Sequence, residues 1–161
     1  MSESEKSSYE KFPITIDKKL GVPIWSDVRE FKLKFRMPLG KIKDFFIALS
    51  EGKVMATKCS SCGRTYFPPQ AECPYCMKSD MEWIEIPNEG TLETFTIINI
   101  KPTTFNHYED YVLAIARFNN IKVLTWLRID DKSKLKIGMQ VKLVVTKRMP
   151  EGYYIYELVP L

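Results

Sequence analysis

Every cysteine of the chain lies in one short segment, ATKCSSCGRTYFPPQAECPYCMKSD, which runs from Ala56 to Asp80. The spacing is Cys-x2-Cys-x10-Cys-x2-Cys, and it is formed by Cys59, Cys62, Cys73 and Cys76. Two residues between cysteines allow both thiolates of a tight turn to face one ion, and two such turns complete a tetrahedral shell. The pattern therefore predicts a four-thiolate metal site, with Zn2+ as the favoured ion.

The same cysteines have two other possible states. A rubredoxin-type iron site uses the same four thiolates, so the spacing does not distinguish zinc from iron. Two neighbouring disulfides explain the pairing less well, because Cys-x-x-Cys bridges are strained. Four protein ligands leave no position for water or substrate, which predicts a structural ion. Residues 53–82 have few large apolar side chains, so we expect the metal to replace a hydrophobic core there.

Length and charge restrict the class of protein. The chain has 161 residues, which fits one ordinary domain with an appendage or two small domains. Its net charge of +4 is spread evenly, since Lys and Arg outnumber Asp and Glu by 8 to 6, 6 to 5 and 10 to 9 in residues 1–40, 41–82 and 83–161. An even spread argues against nucleic-acid binding through a basic stripe. The polar start MSESEKSSYEK and the lack of an apolar run of ~18–20 residues predict a cytoplasmic protein without a membrane span.

Four regions follow from the sequence pattern: an N-terminal arm (1–37), an amphipathic helix (38–52), a zinc ribbon (53–82) and a barrel (83–161). The arm carries too many apolar side chains for a free tail, so we expect it to pack on the body or on a partner. It also has room for a short helix around Asp27 to Phe35. The region 38–52 places Ile42, Phe45, Phe46 and Leu49 at helical spacing, with Gly52 suited to a left-handed cap. This helix either packs on its own domain or docks another chain.

After the cysteines the pattern becomes that of strands. A short strand at 81–86 precedes five longer ones at 91–100, 111–118, 121–129, 139–148 and 152–159. Asn119-Asn120 is a two-residue hairpin signal between the second and third of these longer strands. Five or six strands in this length predict a mainly β protein with a small OB-fold barrel.

One strand offers a candidate ligand-binding face. In IKVLTWLRI, alternation places Lys122, Leu124, Trp126 and Arg128 on one face, and Arg117 precedes the turn into this strand. An indole beside cations suits a nucleotide or an anionic cofactor, and an OB-fold with such a face also permits single-stranded nucleic-acid binding. The alternative is a solvated barrel face with a partly covered Trp.

Residues for catalysis are scarce. His107, in FNHYEDY, could act as a general base beside Glu109 and Asp110, but a loop residue in a turn-rich connector is the simpler interpretation. The glycines form no phosphate-binding motif, and the cysteines are used by the metal site. We therefore do not expect an enzyme that acts alone.

Taken together, these segments resemble a known family. The matching stretches are ALSEGKVMATKCSSCGRTYFPPQAECPYC, WIEIPNEGTLETFTIIN, KIGMQVKLVV and PEGYYIYELVP, which cover roughly residues 38–161. They are similar to the acyl-CoA-associated OB-fold proteins with a rubredoxin-like zinc ribbon, the thirty-fifth domain of unknown function. The arm lies outside this resemblance.

The resemblance implies a helix, a zinc ribbon and an OB-fold in that order, with the four cysteines at the metal positions. It also implies a non-catalytic scaffold or acyl-CoA-binding partner of a thiolase or 3-hydroxy-3-methylglutaryl-CoA synthase. The family supplies no short CoA-binding motif, so the expected acyl-CoA contacts at Trp126, Lys122, Arg128 and Arg117 depend on the strand-face argument alone.

Overall fold

A computed structural model describes residues 12–26, 36 and 38–161 of the chain. It divides into two compact units at Pro38. In the first unit, β1 (Ile14–Ile16) and β2 (Pro23–Trp25) form an antiparallel hairpin. The carboxylate of Asp17 closes its turn by accepting from two backbone N–H groups at 2.8 Å. The helix expected around residues 27–35 lies outside the described residues.

The second unit begins with a short helix. A 3-10 turn at Gly40–Ile42 leads into α1 (Lys43–Ser50), and Gly52 adopts the predicted left-handed cap with φ of +85°. Phe45 and Leu49 are buried and Phe46 is 46% exposed, so this unit covers only part of the apolar stripe. Among the described residues, no helix has both the length and the apolar character needed to cross a membrane.

The cysteine segment folds around a small antiparallel sheet. Its strands are β3 (Met55–Cys59), β4 (Thr65–Tyr66) and β5 (Met81–Glu85), in the order β4-β3-β5. Thr57 pairs with Tyr66 on one side and with Trp83 on the other. Because β4 has only two residues, this sheet buries little apolar surface between its own strands. Its stability therefore depends on contacts outside the sheet.

The five longer strands close into a barrel, which confirms the predicted OB-fold class. They are β6 (Glu89–Ile98), β7 (Tyr111–Phe118), β8 (Ile121–Leu127), β9 (Gln140–Arg148) and β10 (Tyr153–Pro160). Their order around the barrel is β10-β8-β7-β6-β9. Neighbours run antiparallel except β10 and β8, which meet in parallel at Leu158 and Leu127.

The barrel interior holds the main core, because alternate residues of each strand point inward. On β8, Val123 and Leu127 are buried while Lys122 and Leu124 are exposed, as the alternation predicted. The largest fully buried apolar side chains of the core are Phe118, Leu92, Leu158, Val112, Val123 and Val141.

Three aromatic rings join the helix, the ribbon and the barrel. Tyr156 of β10 lies 5.3 Å from Phe67 of the ribbon and 6.3 Å from Phe45 of α1, measured between ring centroids. Phe45 and Phe67 lie 6.3 Å apart, so each ring meets the other two in edge-on geometry. The helix is therefore held by both of the elements that follow it.

Gly90 marks a close approach between β6 and the end of β7. A Cβ atom built there would lie 2.5 Å from the Arg117 carbonyl oxygen and 2.7 Å from the Phe118 ring. Backbone cannot yield as a flexible side chain does, and Phe118 is fully buried. Glycine is required at this position by space and not by backbone conformation.

Gly90→Ala is expected to destabilise the protein by about 3 kcal/mol, at the upper end of the usual range for overpacking a core. Urea denaturation of both proteins gives the difference in the free energy of unfolding. Glu89→Ala, at an exposed residue of the same strand, is the control and should change this free energy little. Equal stability of Gly90→Ala and the parent chain would show that the two strands do not meet this closely.

Candidate functional site

The four cysteine sulfurs converge on one point. All four Sγ atoms lie within 4.8 Å of one another. The distance between Cys59 and Cys76 sulfurs is 3.5 Å, and that between Cys62 and Cys73 sulfurs is 3.6 Å. Tetrahedral bonds of 2.3 Å to zinc would place sulfurs about 3.8 Å apart. The type, number and spacing of these donors therefore fit a metal ion that is bound by four thiolates.

Two turns of the same form present these sulfurs. In the first, the Gly63 N–H donates to the Cys59 carbonyl at 2.8 Å. In the second, the Met77 N–H donates to the Cys73 carbonyl at 2.9 Å. Gly63 and Met77 both adopt positive φ, of +71° and +57°. Glycine adopts this conformation without a steric cost, whereas a methionine takes the equivalent strained position in the second turn.

Local hydrogen bonds favour the ionised form of two of the four sulfurs, those of Cys59 and Cys73. Backbone N–H groups of Cys62 and Ser61 lower the pKa of the Cys59 thiol against the opposing effect of burial. Burial also opposes ionisation of Cys73, but hydrogen bonds from Tyr66 and from two backbone N–H groups outweigh it and lower its pKa to about 6. Burial and its sulfur neighbours raise the pKa of Cys76 to about 12. Four thiolates within 4.8 Å of one another repel, so a cation beside them would favour the ionised form of all four.

Tyr66 supports the cluster from β4. Its hydroxyl lies 3.1 Å from the Cys73 sulfur. The bond to that sulfur raises the pKa of Tyr66 to about 12, so the hydroxyl stays protonated and acts as the donor. Arg64, in the same ribbon, has its guanidinium 3.6 Å from the centre of the Tyr75 ring. Residue type and spacing alone do not indicate this role of Tyr66, although its place four residues after Cys62 is compatible with it.

Tyr66→Phe is expected to weaken metal binding by about 10-fold, because it removes a hydrogen bond to a ligand atom. Competition with a chelator of known affinity measures the change. Tyr75→Phe is the matched control, since it removes the hydroxyl of an exposed tyrosine in the same ribbon. Identical chelator titrations for Tyr66→Phe and the parent chain would contradict this role.

The four predicted ligand contacts do not converge on one site. Lys122 and Arg117 both pair with Glu93 of β6, and the Lys122 ammonium lies 2.8 Å from its carboxylate. Hydrogen bonds from these two cations lower the pKa of Glu93 against the effect of burial, and the bond from Lys122 has the larger effect. Both cations are therefore already compensated by the protein.

Trp126 and Arg128 lie together at the other end of the barrel face. Arg128 pairs with the buried carboxylate of Glu157 at 2.7 Å. The Trp126 ring stacks on Tyr111, with centroids 4.0 Å apart and an angle of 11°. The Arg148 guanidinium also lies on this indole, 3.8 Å from the ring centre. The indole is thus already covered, and a ligand base can stack on it only by displacing one of these groups.

A cavity of about 420 Å³ opens beside Trp126 and Arg128. Its walls come from β7, β8, β9, β10 and the loop before β7, and they include Tyr108, Tyr111, Trp126, Arg148 and Ile155. This volume lies within the range of small-molecule sites. The arrangement can hold a ligand that has both apolar and anionic parts.

The loop before β7 contributes more than the sequence indicated. Phe105 and Tyr108 both lie near the Trp126 ring, at 6.4 Å and 5.1 Å between centroids. The signal was the density of aromatic residues in FNHYEDY. The His107 Nε2 atom lies 3.4 Å from a carboxylate oxygen of Glu151. The acidic partner of this histidine is therefore Glu151 and not its sequence neighbours Glu109 and Asp110. The Tyr108 hydroxyl donates to the same carboxylate at 2.5 Å.

Two family descriptions match the chain in succession. Residues 48–82 match "ChsH2, rubredoxin-like zinc ribbon domain", and residues 83–146 match "ChsH2, C-terminal OB-fold domain". The first match contains all four cysteines, and the second contains β6 to β8 and most of β9.

Similar relatives and solved structures carry the DUF35 name. A "DUF35 domain-containing scaffold protein" of Methanocaldococcus jannaschii is 30% identical over 101 residues, covering 62% of this chain and 72% of that protein. One with the same name from Methanothermobacter thermautotrophicus is 30% identical over 98 residues, covering 60% and 74%. The solved structure "Ltp2-ChsH2(DUF35) aldolase" has a TM-score of 0.64 at 23% identity, covering 75% of this chain and 94% of that one. A DUF35 protein from Sulfolobus solfataricus has a TM-score of 0.55 at 23% identity, covering 76% and 86%.

Proposed function

The chain belongs to the DUF35 family, and we propose on that premise that it is a non-catalytic, cytoplasmic scaffold partner of a thiolase-type acyl-CoA enzyme. The observation that carries this proposal is the four-sulfur cluster, whose donors leave no place for a reacting molecule. In our proposal Cys59, Cys62, Cys73 and Cys76 hold a structural Zn2+. The family description of the ribbon supports zinc over iron.

The partner role is supported by the names of relatives and by exposed apolar surface. The curated relatives are called scaffold proteins, and the solved neighbour carries the name of an aldolase together with ChsH2. On α1, Phe46 and Ile47 are 46% and 53% exposed although they are large and apolar. Exposed apolar groups side by side on a helix are typical of a surface that binds another chain. We propose that the partner is a thiolase or 3-hydroxy-3-methylglutaryl-CoA synthase.

The β1–β2 hairpin is a second candidate surface for the partner. Its Leu20, Val22, Ile24 and Trp25 side chains are all more than two-fifths exposed. An isolated two-stranded hairpin is marginal in water, so burial of these side chains would stabilise it. This agrees with a scaffold that contacts its partner through more than one element.

Acyl-CoA is the proposed ligand of the cavity beside Trp126. CoA esters combine phosphates, an aromatic base and an apolar arm, and the cavity walls combine aromatic, aliphatic and cationic side chains. Single-stranded nucleic acid is the less favoured alternative. It needs free cations along an aromatic face, whereas Lys122 and Arg117 are paired with Glu93.

Affinity purification from the native cells tests the partner role. We expect a thiolase-type acyl-CoA enzyme to co-elute in a fixed ratio, identified by mass spectrometry and by its thiolysis activity. Phe46→Ser with Ile47→Ser should reduce its recovery at least 10-fold, because the apolar surface of α1 is lost. Lys43→Ser, an exposed change on the same helix, is the control. Elution of the chain alone, or with nucleic acid, would contradict the proposal.

A further inference from the structure

The cations around the barrel cavity differ in whether the protein compensates them. Arg128 is paired with Glu157, and the Lys132 ammonium donates to the Asp110 carbonyl at 2.9 Å. Lys147 is exposed and contacts the Tyr154 ring, 4.9 Å from its centre. Arg148 is partly buried, and within the described residues its guanidinium has no carboxylate within salt-bridge distance. A partly buried, uncompensated guanidinium at a cavity wall needs a reason.

Aromatic rings hold this guanidinium in position. Its central carbon lies 3.8 Å from the centre of the Trp126 ring and 5.9 Å from that of Tyr108. A guanidinium contacts a ring through its flat face, while its five N–H donors lie in its plane. The stacking therefore fixes the side chain and leaves donors available at its edge. Trp126 is itself held by the stacked Tyr111 ring.

The cavity chemistry indicates what those donors bind. Four cationic and three carboxylate side chains line it, and one of the carboxylates, that of Glu157, is paired with Arg128. Tyr108, Tyr111 and Ile155 supply apolar wall beside the guanidinium. Arginine binds phosphate through two parallel hydrogen bonds from its planar guanidinium. A side chain held in one orientation can therefore bind phosphate more specifically as an arginine than as a lysine. A small molecule with a phosphate or diphosphate and an apolar or aromatic part fits this wall.

We propose that Arg148 is the anion-binding residue of this cavity and that it contacts a phosphate group of the bound small molecule. This rests on the proposed acyl-CoA role and assigns its phosphate contact to a residue outside the set Lys122, Arg117 and Arg128. An acyl-CoA and a free adenine nucleotide share the required phosphate, so both are sources of the same chemistry. In either case, phosphate binding converts a guanidinium held only by rings into one that is also ion-paired.

Isothermal titration of the full-length, metal-loaded chain tests the proposal. The probes are acetyl-CoA, 3′,5′-ADP, inorganic phosphate and acetyl-pantetheine, which lacks phosphate. Arg148→Gln retains a side chain able to lie on the indole but removes the charge. It should weaken binding of acetyl-CoA or 3′,5′-ADP by about 10- to 100-fold, the effect of losing hydrogen bonds to a charged group. Binding of acetyl-pantetheine should be the same in both proteins.

Lys122→Gln is the matched control, because it makes the same charge change on the same barrel face at a cation already paired with Glu93. It should leave all four titrations unchanged. Arg148→Lys should recover only part of the lost affinity, since an ammonium lacks the planar pair of donors. The near-ultraviolet circular dichroism of each variant shows whether the aromatic cluster is intact. If Arg148→Gln disturbs this spectrum, the role of Arg148 is judged from the affinities of Arg148→Lys and the parent chain alone.

The outcomes separate this inference from the proposed function. Tight binding of acetyl-CoA by all variants alike would overturn the role of Arg148 and leave the acyl-CoA role standing. Arg148-dependent binding of 3′,5′-ADP without any binding of acetyl-CoA would support the anion site and remove acyl-CoA as its ligand. No binding of any phosphate probe would overturn the anion site, while co-purification with an acyl-CoA enzyme would still decide the scaffold role.

Discussion

The rest of the ribbon depends on one constraint, the approach of four cysteine sulfurs to within 4.8 Å of one another. Four thiolates this close repel each other, and their thiols differ widely in pKa, from about 6 for Cys73 to about 12 for Cys76. A divalent cation would remove this conflict and would supply a folding free energy that a two-residue strand such as β4 cannot. In small zinc peptides this contribution is about 10–16 kcal/mol.

The ribbon in turn contacts the helix and the barrel. Phe67, which follows β4 directly, packs against Phe45 of α1 and Tyr156 of β10. The three rings lie at the meeting point of helix, ribbon and barrel, whose buried residues, such as Leu49, Ala56 and Leu92, belong to one continuous hydrophobic core. A change at the cluster is expected to reach α1, and with it the exposed Phe46 and Ile47 that we propose as a partner surface.

Local patterns predicted most of the fold, because their causes are local. Cysteine spacing, strand alternation and the Asn119-Asn120 hairpin each depend on neighbours in sequence, and the structure contains the corresponding turns, faces and loop. The helical period places Phe46 on one stripe with Phe45 and Leu49, but it does not define how much of that stripe the rest of the chain covers. The positive φ of Met77 was not predictable from its residue type, whereas that of Gly63 was. The cysteines as ligands of a structural Zn2+, and any acyl-CoA contacts, stay predictions.

The candidate cavity was less accessible from sequence. Pairing of Lys122 and Arg117 with Glu93 depends on register across β6, β7 and β8, and a register shift between Leu92 and Thr94 lies beside it. The position of Arg148 on the indole joins β9 to β8, which are not neighbours in the barrel order. Neither contact can be predicted from the residue types alone.

The central claim is that one zinc ion holds the two cysteine turns in place, and hydrogen exchange on the natively purified protein tests it most directly. Elemental analysis should first give one zinc per chain. After removal of the metal with a chelator, peptides that contain the Gly63 and Met77 amides should lose their protection, while those from β7 and β8 keep theirs. Protein isolated without metal, or equal protection of both turns before and after chelation, would contradict the account.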